Sequence, residues 1–120
     1  MMLFRFLSLL FAGLWFLSAT GLRRYISTLG EIGTLLAGVL PSALTAICMA
    51  LWFLSENPND LTKPIARAGL LSVLIEFVQL WFPTHVFDIY DVAAALAGCA
   101  TVYLLLRIQR FFQSLWTNQK

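Results

Sequence analysis

The chain has 120 residues and a net charge of +2, and 60% of its residues are hydrophobic while only 12% are charged. Soluble domains carry about 25% charged residues, so this composition excludes an ordinary soluble fold and predicts a membrane protein built as one domain over residues 1–120. The basic residues form no stripe for nucleic acid, and Cys48 and Cys99 lie in apolar runs without the spacing of metal ligands. We therefore expect no nucleic-acid partner, no metal and no cofactor.

Four apolar segments follow one another along the chain. At about 1.5 Å per helical residue, each is long enough to cross roughly 30 Å of hydrocarbon. Their apolar residues are continuous rather than alternating, which favours helices over strands. The segments are Leu3–Leu22, Ile32–Leu54, Ile65–Phe82 and Asp91–Ile108. We predict an all-α membrane protein, a bundle of four transmembrane helices.

The first segment also has features of a secretory signal peptide, because Arg5 precedes an apolar run that ends in small residues. That run is long for a signal, and Leu17 with Ala19 makes a poor cleavage site. We expect an uncleaved span.

Lysine and arginine are distributed unequally between the two ends of the predicted bundle. One end holds both termini and the connection between the second and third helices, and the other end holds Arg23 and Arg24. The positive-inside rule therefore predicts cytoplasmic N- and C-termini and an outward-facing loop, Pro83–Tyr90. The basic residues of the cytoplasmic end are Arg5, Lys63, Arg67, Arg107, Arg110 and Lys120.

A carboxylate lies inside the third apolar segment. Glu76 and Gln79 are three residues apart and share one helix face, and Glu76 lies about 9 Å below the end of the segment at Phe82. Such a group is costly in hydrocarbon and usually faces the protein interior at a functional site. The structural alternative is a hydrogen bond that joins two helices. We favour the wall of a site.

Asp88 and Asp91 open the fourth helix, three residues apart. Acidic residues are typical of helix N-termini, which is a structural role in itself. A helical hairpin would also bring them close to Glu76 and Gln79, with His85 in the loop between.

On the same side, Arg23 and Arg24 are either interfacial anchors or a rim that attracts anionic lipid headgroups. The candidate catalytic residues are Glu76, His85, Asp88 and Asp91, and the candidate ligand-binding residues are these four with Gln79, Arg23 and Arg24.

The stretch from Glu76 to Gly98 resembles the VanZ-like family of small bacterial membrane proteins. In that family an E-x-x-Q near the end of one helix is followed by a loop with proline and arginine, and then by D-x-x-D-x-x-x-N-x-x-G. His85 stands where the family usually has arginine, and Ala95 where it has asparagine. The residues that match at the right spacing are Glu76, Gln79, Pro83, Asp88, Asp91 and Gly98.

The resemblance implies a multi-pass protein of the bacterial cytoplasmic membrane that is linked to the cell envelope, including resistance to glycopeptide antibiotics such as teicoplanin and association with exopolysaccharide loci. We expect an outward-facing polar pocket that recognises a lipid or glycan-linked headgroup, without an enzymatic reaction. Two alternatives stay open: an intramembrane acid/base enzyme acting on a lipid-linked envelope substrate, and a structural subunit of a membrane complex. Expected partners are membrane lipids, lipid-linked envelope precursors or another membrane protein.

Overall fold

The computed structural model describes residues 2–17, 21, 23–82 and 88–117 and, of residues 23 and 27, the backbone alone. Every regular element in this part of the chain is helical. The principal helices are α1 Met2–Leu17, α2 Arg23–Ser27, α3 Glu31–Glu56, α4 Thr62–Gln79 and α5 Ile89–Thr117. The prediction of an all-α protein is confirmed.

The four long helices overlap the four apolar segments, but their boundaries differ. The described part of α1 ends at Leu17, the predicted end at Leu22 lies outside the described residues, and the short helix α2 was not predicted. Between α2 and α3, Gly30 has a positive φ of 93°, a conformation that glycine adopts without steric cost. α5 continues past the predicted end at Ile108 to Thr117, because no proline or glycine interrupts it there.

Among the described residues, two helices are long and apolar enough to cross a membrane, Glu31–Glu56 and Ile89–Thr117. α1 is apolar but has 16 residues. α4 has 18 residues, which include Lys63, Arg67 and Glu76. Length and composition thus identify two candidate spans within the described residues, and the bundle of four spans stays a prediction.

α3 is the central helix, and α1, α2, α4 and α5 all pack against it. α4 also packs against α5, whereas no Cα atoms within 8 Å of each other join α1 to α4 in the described part of the chain. The core around α3 consists mainly of small side chains. Its buried members are Ala46, Ala50, Leu51, Leu54, Leu61, Ile65, Ala68, Ala95, Cys99 and Val102.

Small residues allow the helix backbones to approach closely. A Cβ atom added at Gly98 of α5 would lie 2.8 Å from the carbonyl oxygen of Ala43 in α3, closer than real Cβ atoms come to other atoms. Between α1 and α3, the Ser8 hydroxyl donates to the Cys48 carbonyl oxygen at 3.0 Å. Cys48 and Cys99 are both free thiols.

At the end of the bundle opposite the predicted outer loop, a basic side chain joins two segments. Arg110 of α5 donates to the carbonyl oxygen of Asn59 at 3.0 Å and also to that of Pro58, both in the α3–α4 connection. Asp60 in the same connection accepts from the backbone N–H of Thr62 at 2.9 Å and thereby caps α4.

Candidate functional site

A cavity of about 290 Å³ lies beside Glu76. Trp15 and Ile75, which face it from α1 and α4, are 40% and 45% exposed. The cavity therefore reaches the protein surface between α1 and α4, whose Cα atoms do not come within 8 Å of each other in the described part of the chain. Its lining residues are Trp15 of α1, Pro41, Ser42 and Thr45 of α3, Ser72, Ile75, Glu76 and Gln79 of α4, and Ala95 of α5.

Glu76 is the ionisable residue in this lining, and its side chain is only 6% exposed. The Ser42 side chain, which lines the same cavity, interacts with its carboxyl group. The second carboxyl oxygen, Oε2, is buried and has no hydrogen-bond partner among the described residues. A buried polar atom without a partner costs about 1–3 kcal/mol, so Oε2 is suited to accept a hydrogen bond from a bound molecule.

Two other hydroxyl groups in the lining are committed as donors to their own helices. Thr45 donates to the carbonyl oxygen of Pro41 at 2.8 Å, and Ser72 donates to that of Ala68 at 2.9 Å. Each hydroxyl has a single proton, so the oxygen of each side chain remains available as an acceptor.

The two aspartates predicted for the site lie at the start of α5 but do not line the cavity. Asp88 Oδ1 accepts from the backbone N–H of Tyr90 at 2.9 Å, which is the structural role of a helix cap. Asp88 also lines a separate groove of about 470 Å³ with Glu31 and Tyr90. Asp91 is half-buried in the first turn of α5, and both aspartates act electrostatically on Glu76.

Of the remaining predicted residues, Arg24 is the one whose side chain the structure describes. Arg24 is exposed on α2 and is not part of the lining. His85 and the side chain of Arg23 lie outside the described residues. The structure thus places Glu76 and Gln79 together, Asp91 near them and Asp88 in the neighbouring groove, while the functional role of each stays a prediction.

Four polar or aromatic lining residues were missed from the sequence: Trp15, Ser42, Thr45 and Ser72. A partial signal was present, because Ser72 lies one helical turn before Glu76, and Ser42 and Thr45 follow Pro41 inside an apolar run. In the described part of the chain, no group of three or more His, Cys, Asp or Glu side chains is arranged to hold a metal ion.

The family model for VanZ/LLP1 matches residues 2–112. The chain belongs to the VanZ/LLP1 family. This match covers nearly the whole chain and extends far beyond the stretch Glu76–Gly98, so it includes every helix that lines the cavity. The comparison with curated proteins gives no match, and the comparison with solved structures gives none either. Membership of the VanZ/LLP1 family and the two candidate spans together indicate a membrane protein.

Proposed function

We propose that this VanZ/LLP1 protein is a multi-pass protein of the bacterial cytoplasmic membrane, with four spans and both termini in the cytoplasm. The bias of lysine and arginine supports this orientation. The large hydrophobic side chains exposed on the long helices, such as Leu74, Leu104 and Phe111, support contact with lipid. In this orientation the Glu76 cavity lies in the outer half of the membrane.

In this orientation, the cavity recognises the headgroup of an envelope lipid or a lipid-linked glycan. The observation that carries the proposal is the buried, unpartnered Oε2 of Glu76 on the wall of a cavity that opens between α1 and α4. A lipid could enter through this opening from the side, without leaving the bilayer. Sequestering such a headgroup would alter the cell surface, which accounts for the expected links to glycopeptide resistance and exopolysaccharide.

A second candidate is an acid/base enzyme that acts on a lipid-linked envelope substrate. It is favoured by the interaction of the Ser42 hydroxyl with the Glu76 carboxyl group, because a hydroxyl beside a carboxylate base can act as a nucleophile. In this case Ser42→Ala would leave lipid binding intact and abolish turnover of the bound lipid.

The experiment compares the lipids that co-purify with three forms of the full chain: wild type, Glu76→Gln and Glu56→Gln. Glu56 is exposed at the far end of α3, so its substitution is a matched control for the loss of one carboxylate. Mass spectrometry should find a lipid that is retained by wild type and Glu56→Gln and depleted in Glu76→Gln. Equal lipid content in all three forms would contradict the proposal.

A further inference from the structure

We infer that the group recognised in the Glu76 cavity is a positively charged amine, an ammonium carried by a lipid headgroup. This inference rests on the proposed function and names the chemistry of its ligand. It differs from the alternative in which Arg23 and Arg24 form a rim that attracts anionic lipid headgroups.

The polar side chains that line the cavity offer more acceptor sites than donors. Glu76 offers a buried carboxyl oxygen without a partner, and Thr45 and Ser72 offer hydroxyl oxygens whose protons are already donated to backbone carbonyls. Among the described lining residues, the other donors are the indole N–H of Trp15, the hydroxyl of Ser42 and the amide of Gln79. An ammonium group has up to three donors and no acceptor, so it complements this set.

The charges around the cavity also favour a cation over an anion. None of the described lining residues is Lys, Arg or His, and the carboxylates of Asp88 and Asp91 add their negative potential at Glu76. An anionic headgroup in this position would be repelled by the carboxylates of Asp88 and Asp91, whereas a cation would be attracted to them.

The size and the aromatic wall of the cavity favour an organic cation over a bare ion. Its 290 Å³ far exceed the space of one water molecule, about 30 Å³, and α1 contributes the indole ring of Trp15. Tryptophan is the most favourable aromatic partner for an ammonium group, and Ile75 provides an apolar surface beside it for the carbon atoms of a headgroup.

The test uses wild-type full chain in detergent and native mass spectrometry with three lipids of equal acyl chains. Phosphatidylethanolamine carries the ammonium group, its N-acetylated derivative has lost that charge, and phosphatidylglycerol has no amine. We expect wild type to bind phosphatidylethanolamine about tenfold or more tightly than the other two, as for loss of a hydrogen bond to a charged group. Glu76→Gln should remove this preference, and Glu56→Gln should keep it.

The outcomes separate the inference from the proposed function. Equal binding of phosphatidylethanolamine and its N-acetylated form by wild type would overturn the inference of an amine ligand. This comparison uses wild type alone, so it does not depend on whether a variant folds. If wild type showed no preference and Glu76→Gln nevertheless bound all three lipids more weakly, the proposal of headgroup binding would stand and the inference of an amine would be overturned. If water-soluble phosphoethanolamine bound as tightly as phosphatidylethanolamine, the inference of an amine would be supported, and the proposal that the amine belongs to a lipid would be wrong. If the Glu76→Gln variant bound every lipid as wild type does, both proposals would fail.

Discussion

At the scale of single residues, the buried Oε2 of Glu76 lacks a hydrogen-bond donor, which costs free energy. A donor introduced on the cavity wall could remove this cost. Ala95 is 1% exposed and lines the same cavity. The variant Ala95→Asn would place an amide N–H₂ group within this lining, and a new hydrogen bond to a charged acceptor contributes about 1.5 kcal/mol or more. We expect thermal unfolding in detergent to occur at higher temperature in Ala95→Asn than in wild type. Ala95→Leu, a side chain of similar shape but without a donor, should show no gain, and equal stability of the two variants would contradict the prediction.

Closing the cavity without changing its charge gives a second prediction. Ile75→Trp enlarges a half-exposed side chain at the opening between α1 and α4, so it should block entry of a lipid while the fold stays intact. Leu74→Trp is the control, since Leu74 is 48% exposed and does not line the cavity. Lipid retained after purification should fall in Ile75→Trp alone. Identical lipid content in both variants would show that the opening is not the route.

The sequence predicted the exceptional position of Glu76, because a carboxylate in an apolar helix must face the interior or a cavity, and it predicted that Gln79 shares that wall. It did not predict Trp15, Thr45 or Ser72. Which face of α1 or α3 meets α4 depends on how the helices rotate against each other, and an apolar helix in lipid has no polar side to indicate that rotation.

At the scale of helices, the contact of α5 with α3 depends on Gly98. The Gly98→Ala variant adds a methyl group 2.8 Å from the Ala43 carbonyl oxygen, so α5 must shift away from the central helix. We expect a loss of about 1–3 kcal/mol, the usual cost of overpacking. Gly13→Ala is the matched control, because a Cβ atom there has nothing within 4 Å and alanine favours the helix by about 1 kcal/mol.

Chemical or thermal unfolding of both glycine variants in the same detergent measures this difference. A destabilised Gly13→Ala, or an unchanged Gly98→Ala, would contradict the close packing of α3 and α5.

The small residues of α5 are visible in the sequence, but the helix they pack against is not. It also missed α2, because five residues of helix are too few to give a periodic pattern.

At the scale of the whole molecule, the orientation in the membrane can be tested independently of any ligand. Asn59 and Tyr90 are both exposed and lie at opposite ends of the bundle. In a background without Cys48 and Cys99, a membrane-impermeant maleimide should label Tyr90→Cys in intact cells and label Asn59→Cys only after the membrane is opened. The reverse pattern would place the Glu76 cavity in the inner half of the membrane.

The central claim is that a lipid headgroup occupies the cavity beside Glu76, and photo-crosslinking tests it most directly. A photoreactive diazirine analogue of leucine, similar in size to the residues it replaces, would take the place of Ile75 at the opening and, as a control, of Leu104, which is 57% exposed on α5 and does not line the cavity. After irradiation in native membranes, mass spectrometry should find a phospholipid adduct at position 75 that disappears when Glu76→Gln is introduced, while adducts at position 104 stay the same. An adduct at position 75 that is unaffected by Glu76→Gln would contradict the account.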